Sequence, residues 1–247
     1  VRSAEETVAA LAGGADVIDL KEPRHGSLGR ADPSTLRQVI SHADGVAPVS
    51  VALGELVDFE RPFAALPAGV RFAKLGLSQC CDRPAWWNGW YEAIQWLPEH
   101  VLPVAVVYAD AAACGAPPPQ QIIRRAAKVG CRAVLFDTCR KGGGTLFDAL
   151  PATELSHHIG ESRDLGMAVA LAGSLDEHVV PIALSLAPDV IAVRSAACRD
   201  GRNGTVDEEK VRCLAQIIRG DDDRQSLSCA RSARQAIEIL RLSLRSC

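Results

Sequence analysis

Short apolar runs alternate with longer amphipathic stretches along most of the chain, and that rhythm defines its elements. Runs at 15–21, 47–53, 69–77, 102–110, 132–138, 167–174 and 190–196 have the length and apolar character of strands. Helical periodicity lies between them, near 86–97, 119–129, 152–165, 176–186 and 207–219. A helix over 2–13 comes first. Ser3 followed by Glu6 suits a capping box, Val8, Ala9 and Leu11 form a narrow apolar face, and Gly13-Gly14 ends it. Asp32-Pro33 opens a second helix through about Ile40, and the segment after 53, rich in Phe and Pro, reads as helix or loop.

Strand and helix repeating in this order imply a parallel sheet with helical crossovers. Seven strands after an opening helix predict an α/β chain of the (β/α)8 TIM-barrel type, with its first strand upstream of Val1. The alternative is an open doubly wound sheet. No GlyXGlyXXGly follows any strand, so a dinucleotide site has no support. The barrel is expected to occupy residues 1–220. Residues 221–247 form a tail, in which Ala230–Leu244 has the spacing of an extra amphipathic helix.

Composition narrows the class. The chain has 247 residues, 48% hydrophobic and 23% charged, with a formal net charge of −3. That balance gives no reason to expect nucleic acid or a membrane as partner. No apolar run approaches the roughly 20 residues of a membrane span. The nine cysteines are scattered, without CysXXCys or histidine at metal spacing, which favours a reduced, cytoplasmic protein over a disulfide framework or a metal site. The vicinal Cys80–Cys81 and His157–His158 pairs are set aside as ligands on the same spacing grounds.

The strands end in charge. Alternate residues of a strand share a face, so Asp19 and Lys21 point one way while Ile18 and Leu20 point the other. Lys74, Asp110, Asp137 with Lys141 following it, Gly173-Ser174 and Arg194 stand at the carboxyl ends of other strands, where barrels bind ligands. Such a ring suits carbonyl chemistry on a small phosphorylated molecule. A lysine forms an imine only as the neutral amine, and burial or a second ammonium lowers its pKa. Lys21 and Lys74 are placed to repel one another, with Asp19 and Asp137 to move protons or orient the amines. The Ser174 loop and Arg194 suit a phosphate, although Gly173-Ser174 could equally be a helix cap.

Several motifs then fall into place together: AspValIleAspLeuLysGluPro with GlySerLeuGly, PheAlaLysLeuGly, PheAspThr with Lys141 and ThrLeuPheAsp, AlaLeuAlaGlySer, and ValArgSerAlaAlaCys with ArgAsnGly. Their order over most of residues 1–220 resembles the (5-formylfuran-3-yl)methyl phosphate synthase family of methanofuran-type cofactor biosynthesis. The resemblance implies a cofactor-free and metal-free lyase on a (β/α)8 barrel. It would condense two glyceraldehyde 3-phosphate molecules to 4-(hydroxymethyl)-2-furancarboxaldehyde phosphate, with loss of one phosphate and water. It places the Schiff-base amine on Lys21, the proton-transferring amine on Lys74, and supporting groups on Asp19, Asp137 and Lys141. Gly173, Ser174, Arg194 and Ser195 would bind phosphate, Ser195 standing where the family pattern has glycine. The alternatives are another Schiff-base aldolase or phosphosugar isomerase, or an inactive phosphate-binding barrel. Trp86, Trp87, Trp90 and Trp96 gather in one helical segment with almost no basic residues, which points to a buried face or a homo-oligomer contact rather than nucleic acid.

Overall fold

The computed structural model describes residues 1–59 and 66–220. The expected C-terminal helix lies outside the described residues. Helix α1 (Ala4–Ala12) leads into β1 (Ile18–Leu20), α2 (Pro33–Ala43), β2 (Val49–Glu55) and β3 (Val70–Gly76). There follow α3 (Trp86–Gln95), β4 (Leu102–Tyr108), the one-turn α4 (Ala111–Cys114), α5 (Pro119–Lys128) and β5 (Ala133–Asp137). The chain continues through α6 (Leu146–Ala149), α7 (Ala152–Asp164), β6 (Ala168–Leu171), α8 (Val180–Ser185), β7 (Val190–Ile191) and α9 (Glu208–Arg219). Among the described residues, all seven strands are parallel and hydrogen-bonded in chain order from β1 to β7. This is the (β/α)8 pattern, a curled parallel sheet with helical crossovers. Val1 makes one rung of parallel ladder on the outer edge of β1: its N–H donates to the Asp19 carbonyl (2.7 Å) and its carbonyl accepts from the Lys21 N–H (3.2 Å).

Two cores result. The outward faces of the strands pack under the helices: Ile18 and Leu20, Val49 and Val51, Leu75, Val107, Val134 and Phe136, Val169 and Leu171. Leu155 and Ile159 of α7 and Trp90 of α3 belong to the same layer. The inward faces form a second, smaller cluster of Ala52, Val106, Tyr108, Leu135 and Ala172, closed above by Leu28 from the loop after β1. That loop is drawn tight because the Glu22 N–H donates to the Gly29 carbonyl (2.8 Å), and a Cβ on Gly29 would stand 2.1 Å from the Glu22 carbonyl oxygen. The Leu28 carbonyl in turn accepts from the Gly54 N–H (2.9 Å), pinning the loop to the end of β2.

Two local expectations change. In α1 the buried residues are Ala4, Glu6, Thr7 and Ala10, whereas Val8 is 51% exposed. The helix is rotated because its inward polar groups have partners. Thr7 donates to the Ser3 carbonyl (2.9 Å), and Glu6 is claimed by Arg194. The capping box is therefore half formed: Ser3 accepts from the Glu6 N–H (3.3 Å), while the Glu6 carboxylate takes the Arg2 N–H (2.7 Å). The helix expected from 176 begins only at Val180, after a turn in which Asp176 accepts from the His178 and Val179 N–H groups.

Candidate active site

Pleating puts Asp19, Lys74 and Asp137 on the inner face of the sheet, and Lys21 follows β1 by one residue. Three lysine–carboxylate pairs form, around two aspartates. The Lys74 ammonium is buried and donates to Asp19 Oδ1. Lys21 Nζ lies 3.9 Å from Asp137 Oδ2, and Lys141 Nζ donates to Asp137 Oδ1 (2.7 Å) and Thr138 Oγ1 (3.2 Å). The Thr138 N–H also binds Asp137 Oδ1 (2.8 Å), so that oxygen is fixed from two sides. Asp137 Oδ2 is buried without a hydrogen bond and faces the Lys21 amine. Three lysines and two aspartates thus form one network at the carboxyl ends of β1, β3 and β5.

The electrostatics separate these groups. Burial lowers the pKa of Lys21; Lys74 and Lys141 add to that, and Asp137 and Asp19 oppose it. Repulsion between the lysines therefore helps, but burial is the larger cause, since Lys74 is already neutralised by Asp19. Burial works against both carboxylates, yet the cations outweigh it. Lys74 and Lys21 hold Asp19 at about 2, and Lys21 and Lys141 keep Asp137 below its usual range.

The four residues expected to bind phosphate lie on the loops after β6 and β7. Gly173 and Ser174 follow β6 with positive φ (98° and 53°), and the Gly173 carbonyl accepts from the N–H of Leu146, which opens α6. Ser174 is exposed. Ser195 opens a single 3-10 turn, Ser195–Ala197, at the end of β7. Arg194 is buried and its guanidinium is engaged. Nη1 and Nη2 donate to the two Glu6 oxygens (3.0 and 3.2 Å), Nε to the Arg202 carbonyl (3.0 Å), and Nη2 also to that of Gly204 (3.2 Å). It braces the Ser195 turn against α1. Asp110 likewise has a local role, accepting from the Cys139 and Arg140 N–H groups (2.6 and 2.8 Å) after β5.

One acidic group at this end of the barrel lies outside the motif reading. Tyr108, fully buried on the inner face of β4, donates to Glu55 Oε1 (2.6 Å), and Glu55 Oε2 accepts from the Ser78 N–H (2.9 Å). The signal for it is Gly76. That glycine shares the inner face of β3 with Lys74 and leaves the space a side chain would need for a carboxylate from β2.

Elsewhere, Cys80 is buried and its thiol pushed up to about 11 by burial, while Cys81 is exposed; both are free thiols. His158 is buried and stacks on Phe136. Among the described residues no cluster of His, Cys, Asp and Glu could hold a metal, and no helix is long and apolar enough to cross a membrane.

Comparison with known proteins identifies the family. A family model described as 4-HFC-P synthase matches residues 1–215. The chain belongs to this family. A (5-formylfuran-3-yl)methyl phosphate synthase of Methanocaldococcus jannaschii is 32% identical over 87% of this chain and 96% of its own length. One of Methanothermobacter thermautotrophicus is 34% identical over 87% and 94%. Among solved structures, phosphoribosyl anthranilate isomerase from Thermotoga maritima superposes with a TM-score of 0.59 at 16% identity, covering 89% of this chain and 96% of that one. Thiamine phosphate pyrophosphorylase from Pyrococcus furiosus does so at 0.56 and 18%, over 87% and 90%. At such identities the likeness is one of fold. Membership of the 4-HFC-P synthase family makes this a chain of an enzyme family.

Proposed function

We propose that this chain is a lyase that condenses two molecules of glyceraldehyde 3-phosphate to 4-(hydroxymethyl)-2-furancarboxaldehyde phosphate through an imine on Lys21. The observation that carries the reading is the Lys21–Asp137 pair: a largely buried amine with a lowered pKa, 3.9 Å from a carboxylate oxygen that has no hydrogen bond. The neutral amine attacks the aldehyde carbon of one triose phosphate, and water leaves as the imine forms. Asp137 Oδ2 is within reach to take and return the proton. Lys141 and the Thr138 N–H hold the other oxygen, which keeps the carboxylate oriented. Lys74, held by Asp19, serves as general acid/base for the enamine and the carbon–carbon bond. Backbone N–H groups of the Gly173–Ser174 loop and the Ser195 turn hold phosphate, with Arg194 bracing that turn from behind.

The test is intact mass after incubation with glyceraldehyde 3-phosphate and borohydride, with the adduct mapped by peptide. An adduct on Lys21, lost in Lys21→Ala and retained at a reduced rate in Lys74→Ala, is the expected result. An adduct on another lysine overturns the assignment of roles. A folded protein that forms none overturns imine catalysis and points to an isomerase or a binding barrel.

A further inference from the structure

Cys114 and Cys139 meet beside the lysine network, although they come from different elements. Cys114 ends the one-turn α4 after β4, and Cys139 follows Asp137 by two residues at the end of β5. Tyr108 and Asp137 are register partners in the β4–β5 ladder, so the two loops leave the sheet side by side. Asp110, at the head of α4, accepts from the Cys139 N–H (2.6 Å) and ties the loops together. The two thiols then share a hydrogen bond, which lowers the pKa of Cys114 and raises that of Cys139. Both are free, half-buried and packed against the inner cluster. Cys114 is held from its other side too: its Sγ reaches the Ala111 carbonyl (3.6 Å), and its own carbonyl accepts from the Gln79 N–H (2.9 Å). Cys80, Cys131 and Cys198, by contrast, are buried, and burial pushes their thiols up, away from the reactive thiolate.

We propose that Cys114 and Cys139 are a redox dithiol that a peroxide closes to a disulfide, and that the closed form slows the Lys21 site. In the first step the Cys114 thiolate attacks one oxygen of hydrogen peroxide. An S–O bond forms as the O–O bond breaks, and hydroxide leaves with that electron pair and takes up the proton Cys114 released, giving water. The Cys139 sulfur then attacks the Cys114 sulfur. The S–S bond forms as the S–O bond breaks, and the hydroxyl leaves with that pair and the Cys139 proton as a second water. The two thiols lose two electrons and the peroxide gains them. A disulfide is shorter than a thiol–thiol hydrogen bond, so closing it draws the loop after β5 towards α4. Lys141 lies two residues further along that loop and holds Asp137 Oδ1 (2.7 Å), so the pull falls on the carboxylate that faces Lys21. The slowing rests on the imine reading above; the formation of the bond does not.

The experiment treats the full chain with hydrogen peroxide and follows a non-reducing peptide map together with turnover of glyceraldehyde 3-phosphate, before and after dithiothreitol. The map should show one peptide pair joining Cys114 to Cys139. In the same sample kcat should fall by roughly 10- to 100-fold, the cost of a small misplacement at a reacting centre, and dithiothreitol should restore it. Cys114→Ser and Cys139→Ser should each turn over like the reduced wild type, form no such pair and keep their activity in peroxide. Cys81→Ser, which removes an exposed thiol away from the pair, should respond as wild type does. If one serine variant of the pair does not melt cooperatively, the other decides. A folded wild type that forms no Cys114–Cys139 pair, a pair that leaves kcat unchanged, or a reversible loss that persists in the serine variants overturns the proposal. Failure of the reduced wild type to form a borohydride adduct on Lys21 would instead overturn the imine reading, and the peptide map would still decide whether the dithiol closes.

Discussion

Lys21 and Lys74 are both lysines at the mouth of one barrel, yet their neighbours treat them differently. Lys74 donates directly to Asp19, whereas Lys21 stands 3.9 Å from Asp137 with burial as the dominant influence on it. An amine whose pKa is lowered reaches its reactive, neutral form at lower pH. The rate of Lys21 imine trapping should therefore rise with pH and level off below the ordinary lysine value near 10.4. In Asp137→Asn the charge that raises the Lys21 pKa is gone, so the midpoint should move lower still. A stopped-flow profile of trapping against pH reads this, and an upward shift would contradict the network. Asp19 gives the opposite sign. Its folded pKa of about 2 lies below the ordinary carboxylate value, so its pairing stabilises the fold above about pH 4 and is lost as pH falls towards 2. Urea midpoints at pH 5 and 2.5 should differ more in wild type than in Asp19→Asn. The partners Asp137 and Lys141 were legible in the sequence because they are four residues apart across one strand end. Glu55 was not, because it follows the expected end of its strand by two residues and its seat at Gly76 belongs to another strand.

Among the elements, α1 shows most clearly what sequence patterning misses. Its apolar residues suggest a face through Val8, but the helix turns Glu6 inward to meet Arg194, 188 residues away. Both side chains are nearly inaccessible to solvent, with 6% of Arg194 and 3% of Glu6 exposed. Removing one partner leaves a buried, unpaired charge, so Glu6→Ala should cost about 3–5 kcal/mol in urea denaturation. The double change Glu6→Leu with Arg194→Met should recover most of that, because two apolar groups leave nothing unpaired. The loop after β1 is a second such case. Gly29→Ala would press a Cβ against the Glu22 carbonyl and lift Leu28 from the inner cluster. Cooperative melting at a temperature several degrees lower, with slower Lys21 trapping, is the expected outcome; unchanged behaviour would show that the loop tolerates opening.

At the scale of the whole molecule, the longest unbroken ladder is β4–β5 and the shortest is β6–β7. The β4–β5 ladder spans five residue pairs, whereas β7 joins β6 through two. Hydrogen exchange should therefore protect the amides of β4 and β5 most, opening only with global unfolding, while those of β7 exchange through local opening. Equal protection across the sheet would contradict this. The strand–helix rhythm, the parallel sheet and the inward direction of Asp19, Lys74 and Asp137 were determined by the sequence alone. Each follows from a local period, two residues for a strand and 3.6 for a helix, that the chain carries wherever it folds. Which charges pair was decided only by the tertiary structure. Lys74 with Asp19, Lys21 with Asp137, Arg194 with Glu6 and Tyr108 with Glu55 join residues 53 to 188 positions apart. No local period encodes those distances; the curl of the sheet, which brings distant strand ends to one mouth, does.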